Sequence, residues 1–188
     1  MDDRRPVLHD AVTLRHFSAA NRLDVLEDVH GSLPEPRVAP VVLNEIDAAA
    51  RRGEAHCTQI LGESWLGEPP ALTLAERKLV TNLRISLSDG QRPPQGHHGE
   101  AQSIVLAEKH EGRLATDDNA AYQFATRRPS LGPMRVIDTV EILRAAVAQD
   151  IITAQDAVGI ADDIAAADRW LRPVHDGKIS TAYFEPAF

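Results

Sequence analysis

Residues 99–118, GEAQSIVLAEKHEGRLATDD, constrain the fold of this chain more than any other stretch. They read as a helix pattern opened by a carboxylate, Glu100, followed by a short apolar run at 113–116 that stops on two more carboxylates, Asp117 and Asp118. A buried strand that ends on acids, beside a helix that begins on one, is how α/β folds collect negative charge at the carboxyl edge of a parallel sheet. Carboxylates gathered in this way repel one another and are costly to desolvate unless a divalent cation neutralises them. The stretch therefore points to metal-dependent hydrolysis.

The remaining pattern alternates between short apolar runs and amphipathic helices. An extended run at 6–10 leads to helices at 13–20 and 22–29, a loop at 31–36 and a short strand at 37–39. A helix at 42–52, an extended stretch at 57–66 and a helix at 73–88 follow, the last opened by Thr73 with Glu76 at capping-box spacing. A Pro- and Gly-rich loop at 89–99 precedes the acidic stretch. After it come a helix at 119–126, a turn at 127–133, a strand at 134–137 and a helix at 139–149. Such alternation predicts an α/β fold in three layers, with a central parallel sheet flanked by helices. Right-handed crossovers place the loops after each strand on one edge, so Asp10 and the Asp117–Asp118 pair converge despite their separation in sequence. A last amphipathic helix at 153–171, striped by Ala157, Val158, Ala161, Ile164 and Ala165, begins a helical C-terminal extension at 153–188 beyond a domain at 1–152. Its aromatics, Tyr183, Phe184 and Phe188, are expected to pack back on the body.

Charge and cysteine usage narrow the class. Lys and Arg number 20 against 28 Asp and Glu, a net charge of −8. That balance excludes a general nucleic-acid coat, but not an enzyme that cuts nucleic acid, because a bound metal and a local arginine patch reverse the field where it matters. Cys57 is the single cysteine, so an intrachain disulfide is excluded and a reducing cytoplasm is the expected setting. The N-terminal MDDRRPVLHD lacks the apolar core of a signal peptide, and no run is long enough to span a bilayer, so no membrane association is expected.

Four acids in the order Asp10, Glu45, Glu100, Asp118 resemble those of the PIN-domain nucleases. VLHDAVTLRHFSAANRLDVL is similar to the family's first strand and helices, with an Asp closing the strand, and VVLNEIDAA to its second acidic position. GEAQSIVLAEKHEGRLATDDNAA resembles the third and fourth positions, and MRVIDTVEILRAAVAQDII the closing strand and helix, so the likeness covers roughly residues 6–152. It departs from the family pattern at Ala11, where many relatives carry Thr or Ser. The resemblance implies a PIN-like domain with a Mg²⁺ or Mn²⁺ site that cuts single-stranded RNA. In small bacterial members it also implies the toxin of a toxin–antitoxin pair, held inactive by a cognate antitoxin protein. Asp10 and Asp118 are then the expected direct ligands, with Asp117 as the alternative to Asp118. Glu100 binds the metal or its water, Glu45 is a ligand or a water-orienting base, and Thr13 and Thr116 orient a carboxylate or a water. Arg127, Arg128 and, more weakly, Arg15 are the cations expected to hold the nucleic-acid backbone.

Each of these residues also has a plainer reading. Asp117 or Asp118 caps the helix at 119, Glu100 matches a helix dipole, and Glu45 sits on a solvated face. His97 and His98 with Glu100 suggest zinc, but adjacent loop histidines lack the i, i+4 geometry of helical zinc motifs. The His9–Asp10 and His175–Asp176 pairs superficially suggest an HD-type phosphohydrolase. Cys57 beside His56 is read as an inert thiol rather than a nucleophile. The last helix is core, or a docking face for a partner or a second copy of the chain. A non-catalytic binding module and a PIN nuclease acting on DNA are the alternatives to a ribonuclease.

Overall fold

The computed structural model describes residues 5–30, 38–88, 96–167, 169–171 and 179–184. Among the described residues three short strands carry the sheet: β1 (Val7–His9), β2 (Arg113–Ala115) and β3 (Val136–Ile137). They pair in parallel in the order β1-β2-β3, with Leu8 beside Leu114 and Ala115 beside Ile137. Val38 adds a parallel bridge to His9 on the outer side of β1. Leu8, Leu114 and Val136 are fully buried, as expected of strands covered on both faces.

Helices fill the connections. The first half holds α1 (Ala11–Ala19), α2 (Leu23–His30), α3 (Pro40–Arg51) and α4 (Ala55–Leu61). After them come α5 (Leu74–Leu87), α6 (His98–Lys109), α7 (Asn119–Thr126), α8 (Thr139–Ala148) and α9 (Ala154–Ala166). α6 packs on β1 and β2, and α7 on β3, while α1 packs against α2, α3, α4 and α9. Phe17, Leu14, Ile46, Ile104 and Leu143 lie in one core, and Ala157, Ile160 and Ile164 of α9 belong to it. Among the described residues no helix is long and apolar enough to cross a membrane.

The register is held by a close approach at Gly112. A Cβ there would lie 2.5 Å from the Pro6 carbonyl oxygen, which accepts a 2.8 Å hydrogen bond from Arg113 N–H. Beyond the named strands the ladder continues for one step on each side: Asp10 N–H donates to the Ala115 carbonyl at 3.0 Å, and Thr116 N–H to that of Ile137 at 2.9 Å. Asp10 and the 116–118 segment therefore leave the sheet at the same level, on its carboxyl edge.

Several sequence expectations are corrected. Residues 57–66, expected to be extended, form α4 and a 3-10 turn at Ser64–Leu66. Cys57 and Ile60, three apart, bury one helical face, which outweighs the glycines that blur the pattern. The strand expected at 134–137 shrinks to Val136–Ile137, because Pro133 starts a 3-10 turn that leaves Met134 86% exposed. α6 begins at His98, two residues before the expected Glu100. α9 ends at Ala166 rather than residue 171, and Ile160 joins its buried stripe while Ala165 is exposed. Phe184 is buried, whereas Tyr183 is exposed with the Arg144 guanidinium 4.1 Å over its ring. The expected loop at 31–36, residues 89–95, the His175–Asp176 pair and Phe188 lie outside the described residues.

Candidate metal centre

Asp10 leaves β1 and caps α1. Its Oδ1 accepts the Thr13 N–H at 2.7 Å, and its Oδ2 accepts the Thr116 hydroxyl. The residue is only 2% exposed, and burial pushes its carboxyl up to about 7. The Thr116 and Thr13 hydrogen bonds oppose that rise, while the charges of Asp117 and Glu100 add to it.

The adjacent acids at the end of β2 have different surroundings. Asp117 is buried and surrounded by donors: Thr139 N–H at 3.2 Å, the Thr139 hydroxyl at 2.5 Å and the Thr13 hydroxyl at 3.4 Å, with His16 Nδ1 also 3.4 Å away. It ties α1 to α8 and its oxygens are engaged there. Asp118 caps α7, its Oδ1 accepting the Ala121 N–H at 2.7 Å, and its own N–H donates to Thr116 Oγ1 at 3.2 Å. Capping thus occupies one oxygen of Asp118.

Glu100, in the first turn of α6, is pushed up by burial and then by Asp118, against its own backbone N–H and His97. Glu45 on α3 is pushed up by burial and then by Glu100, against a hydrogen bond from Gly99 N–H and the charge of Arg15. α3 and α6 approach closely here: a Cβ on Gly99 would lie 2.8 Å from Glu45 Oε2 and 3.3 Å from Val42 Cγ2. His97 takes a left-handed backbone, φ 52°, as the residue capping α6. One ring nitrogen of His97 and one oxygen each of Glu100 and Asp118 lie within 4.8 Å of one another. The charge of Glu100 thus bears on Asp10 and Glu45 and that of Asp118 on Glu100, but of the four only Glu100 and Asp118 join the group with His97; among the described residues no Lys or Arg pairs with any of the four acids. An oxygen-rich set of this kind, without a direct Lys or Arg partner, fits a hard divalent cation.

Two of the three expected backbone-binding arginines are engaged elsewhere. Arg15 pairs with Glu54 on α4. Arg128 pairs through two nitrogens with Glu108, the second at 2.8 Å, and lies over Phe124. Arg127 is exposed at the end of α7. Beside the start of α6, a cleft of about 480 Å³ is lined by Arg77, Arg84, His98, Gln102 and Pro40 among others. Burial and the charge of Arg84 push His98 toward its neutral form. A second group, Glu54, His56 and Cys57, already holds cations: Arg15 and Arg52 on Glu54, and Arg169 donating to His56 Nε2 at 2.9 Å. Burial pushes the Cys57 thiol up, which fits an inert thiol.

Sequence reasoning weighed His97 with His98 as a zinc motif and set it aside, and it did not single out Gly99 or the arginines of the cleft. The i, i+4 rule passes over His97, whereas His97 and Glu100 are three apart, another spacing at which residues share a helical face. Gly99 is visible in the sequence only as part of the GEA run.

A family model described as a PIN domain matches residues 6–179. No curated protein and no solved structure matches the chain. The matched span contains Asp10, Glu45, Glu100 and Asp118 and all three strands of the sheet. The chain belongs to the PIN-domain family, whose members are generally metal-dependent nucleases.

Proposed function

We propose that this protein is a Mg²⁺- or Mn²⁺-dependent endoribonuclease acting on single-stranded RNA. The carrying observation is that Glu100 and Asp118 come within 4.8 Å of each other and of His97, beside the carboxyl edge where Asp10 leaves the sheet, with none of Asp10, Glu45, Glu100 and Asp118 paired with a described Lys or Arg. Glu100 and Asp118 are assigned as direct ligands, Asp10 as a ligand through its buried carboxylate, and Glu45 as the group that orients or deprotonates a water. Asp117 is assigned a structural role, because the Thr13 hydroxyl and the Thr139 hydroxyl and N–H converge on its Oδ2 and tie α1 to α8. A bound divalent ion supplies charge neutralisation for a phosphodiester and for the water that attacks it.

The protein's own residues position these groups. Thr116 donates to Asp10 and accepts from Asp118 N–H, so one hydroxyl fixes the spacing of two carboxylates. Thr13 N–H holds the other oxygen of Asp10. Gly99 leaves room for Glu45 to lie against the start of α6. Arg77 and Arg84 line the neighbouring cleft and are suited to a strand's phosphates. In a chain of net charge −8, so narrow a cationic lining favours a short single strand over a duplex. Membership of the family supports a toxin role, with an antitoxin covering the acidic edge as partner.

The test is cleavage of single-stranded RNA, duplex DNA and flap substrates by the purified protein with Mn²⁺, Mg²⁺ or chelator. Expected is metal-dependent cleavage of single-stranded RNA that falls to background in Asp10→Asn and Asp118→Asn. Equal behaviour of wild type and both variants with Mn²⁺ present rejects the enzyme reading in favour of a binding module, and cleavage of DNA alone rejects the RNA assignment.

A further inference from the structure

We propose that His97 is a nitrogen ligand of this metal centre and gives it a preference for a first-row transition ion, Mn²⁺ in the test below, over Mg²⁺. The inference rests on the metal-dependent reading and adds a residue and a selectivity to it. One His97 ring nitrogen lies within 4.8 Å of the oxygens offered by Glu100 and Asp118, close enough for all three to reach one cation. His97 Nδ1 is buried with no hydrogen-bond partner. An unsatisfied buried polar atom costs about 1–3 kcal/mol, so it marks either a defect or a missing partner.

The backbone supports the second reading. Gly96 and His97 both have positive φ, 62° and 52°. A left-handed conformation is free for glycine but costs a histidine about 1–2 kcal/mol. Strained residues of this kind cluster where a side chain must be held for function. Here the two residues lead into α6, and His97, three residues before Glu100, keeps one ring nitrogen within 4.8 Å of the oxygens offered by Glu100 and Asp118.

The consequence for metal choice follows from donor chemistry. Carboxylates bind Mg²⁺ and Mn²⁺ alike, so Asp10, Glu100 and Asp118 do not discriminate strongly. Mg²⁺ demands oxygen ligands in near-ideal octahedra and keeps several waters. An imidazole nitrogen suits first-row transition ions, so adding one to a carboxylate set moves the preference away from Mg²⁺. Adjacent His98 lines the cleft with Arg84 and is outside the three-residue group.

The experiment uses the full chain without RNA. Mn²⁺ binding is titrated by electron paramagnetic resonance, Mg²⁺ by competition in the same samples, and bound Mn²⁺ is probed for ¹⁴N modulation by electron spin echo. Expected in wild type and His98→Asn are Mn²⁺ preferred over Mg²⁺ and an imidazole ¹⁴N signal. In His97→Asn the signal disappears and Mn²⁺ affinity falls about 10–100-fold with little change for Mg²⁺. Absence of ¹⁴N modulation on Mn²⁺ bound to wild type overturns the inference even if His97→Asn fails to fold, and so does an unchanged Mn²⁺/Mg²⁺ ratio in that variant. If wild type binds neither ion, or binding is unaffected by Asp118→Asn, the metal-dependent reading itself fails, a result distinct from failure of the His97 assignment alone.

Discussion

Asp10 carries conflicting demands. It caps α1 and is buried, yet in the proposed centre it must be charged. Its carboxyl is raised from 3.8 to about 7, so the unfolded chain releases this proton first as pH rises. The folded metal-free state therefore has Asp10's full contribution below pH 3.8 and loses it as pH climbs to about 7, up to about 4 kcal/mol in all. Asp10→Asn keeps a capping oxygen and removes the ionisation. We expect the metal-free variant to melt above wild type at pH 8, with the difference vanishing toward pH 4, as thermal denaturation across that range will show. A variant that melts lower at pH 8 contradicts the burial argument. The pair Asp117–Asp118 makes a related point. Successive residues leaving a strand point opposite ways, so one turns inward to Thr13, His16 and Thr139 and the other outward to Glu100. Sequence alone leaves open which is which, because both acids suit a cap and both suit a cation.

At the scale of elements, α3 and α6 meet at Gly99, where the atom in the way of an added Cβ is the flexible end of Glu45. Gly99→Ala is accordingly expected to change the melting temperature little, because Glu45 swings aside, while cleavage falls about 10–100-fold, as when a supporting group around a metal site is removed. A variant with wild-type turnover contradicts a role for Glu45 against α6. Elements with clear local signals are readable from sequence. The Thr73–Glu76 capping box opens α5, and α7 spans the expected Asn119–Thr126 behind its Asp cap. α4 is not readable because a seven-residue helix shows only one buried pair, Cys57 and Ile60, between glycines. β3 is overread because the apolar run beginning at Met134 continues smoothly into Val136, while the turn is set by Pro133. His97 is set aside in the sequence for want of helical spacing, because its conformation depends on a positive φ that no residue type demands there, unlike Gly96 before it.

At the scale of the molecule, an acidic chain must bind a polyanion through a small local field. Of the expected arginines, Arg15 and Arg128 are committed to Glu54 and Glu108, pairings that sequence spacing does not reveal, while Arg127 is exposed at the end of α7. The α5–α6 cleft offers a cationic surface beside the acids. Arg84→Ala is expected to weaken RNA binding in Ca²⁺, where cleavage is suppressed, and to reduce the slope of log affinity against log salt by about 0.7 for each phosphate left without its cation. Fluorescence anisotropy at several salt concentrations measures both, and an unchanged slope places the strand elsewhere.

Anomalous X-ray scattering from crystals of the chain soaked in Mn²⁺ tests the shared-cation claim most directly. The account predicts a peak bounded by Asp10, Glu100, Asp118 and His97, absent from Asp118→Asn crystals treated identically. Ordered crystals with no Mn²⁺ peak at that edge, or with peaks only at unrelated surface carboxylates, would contradict it.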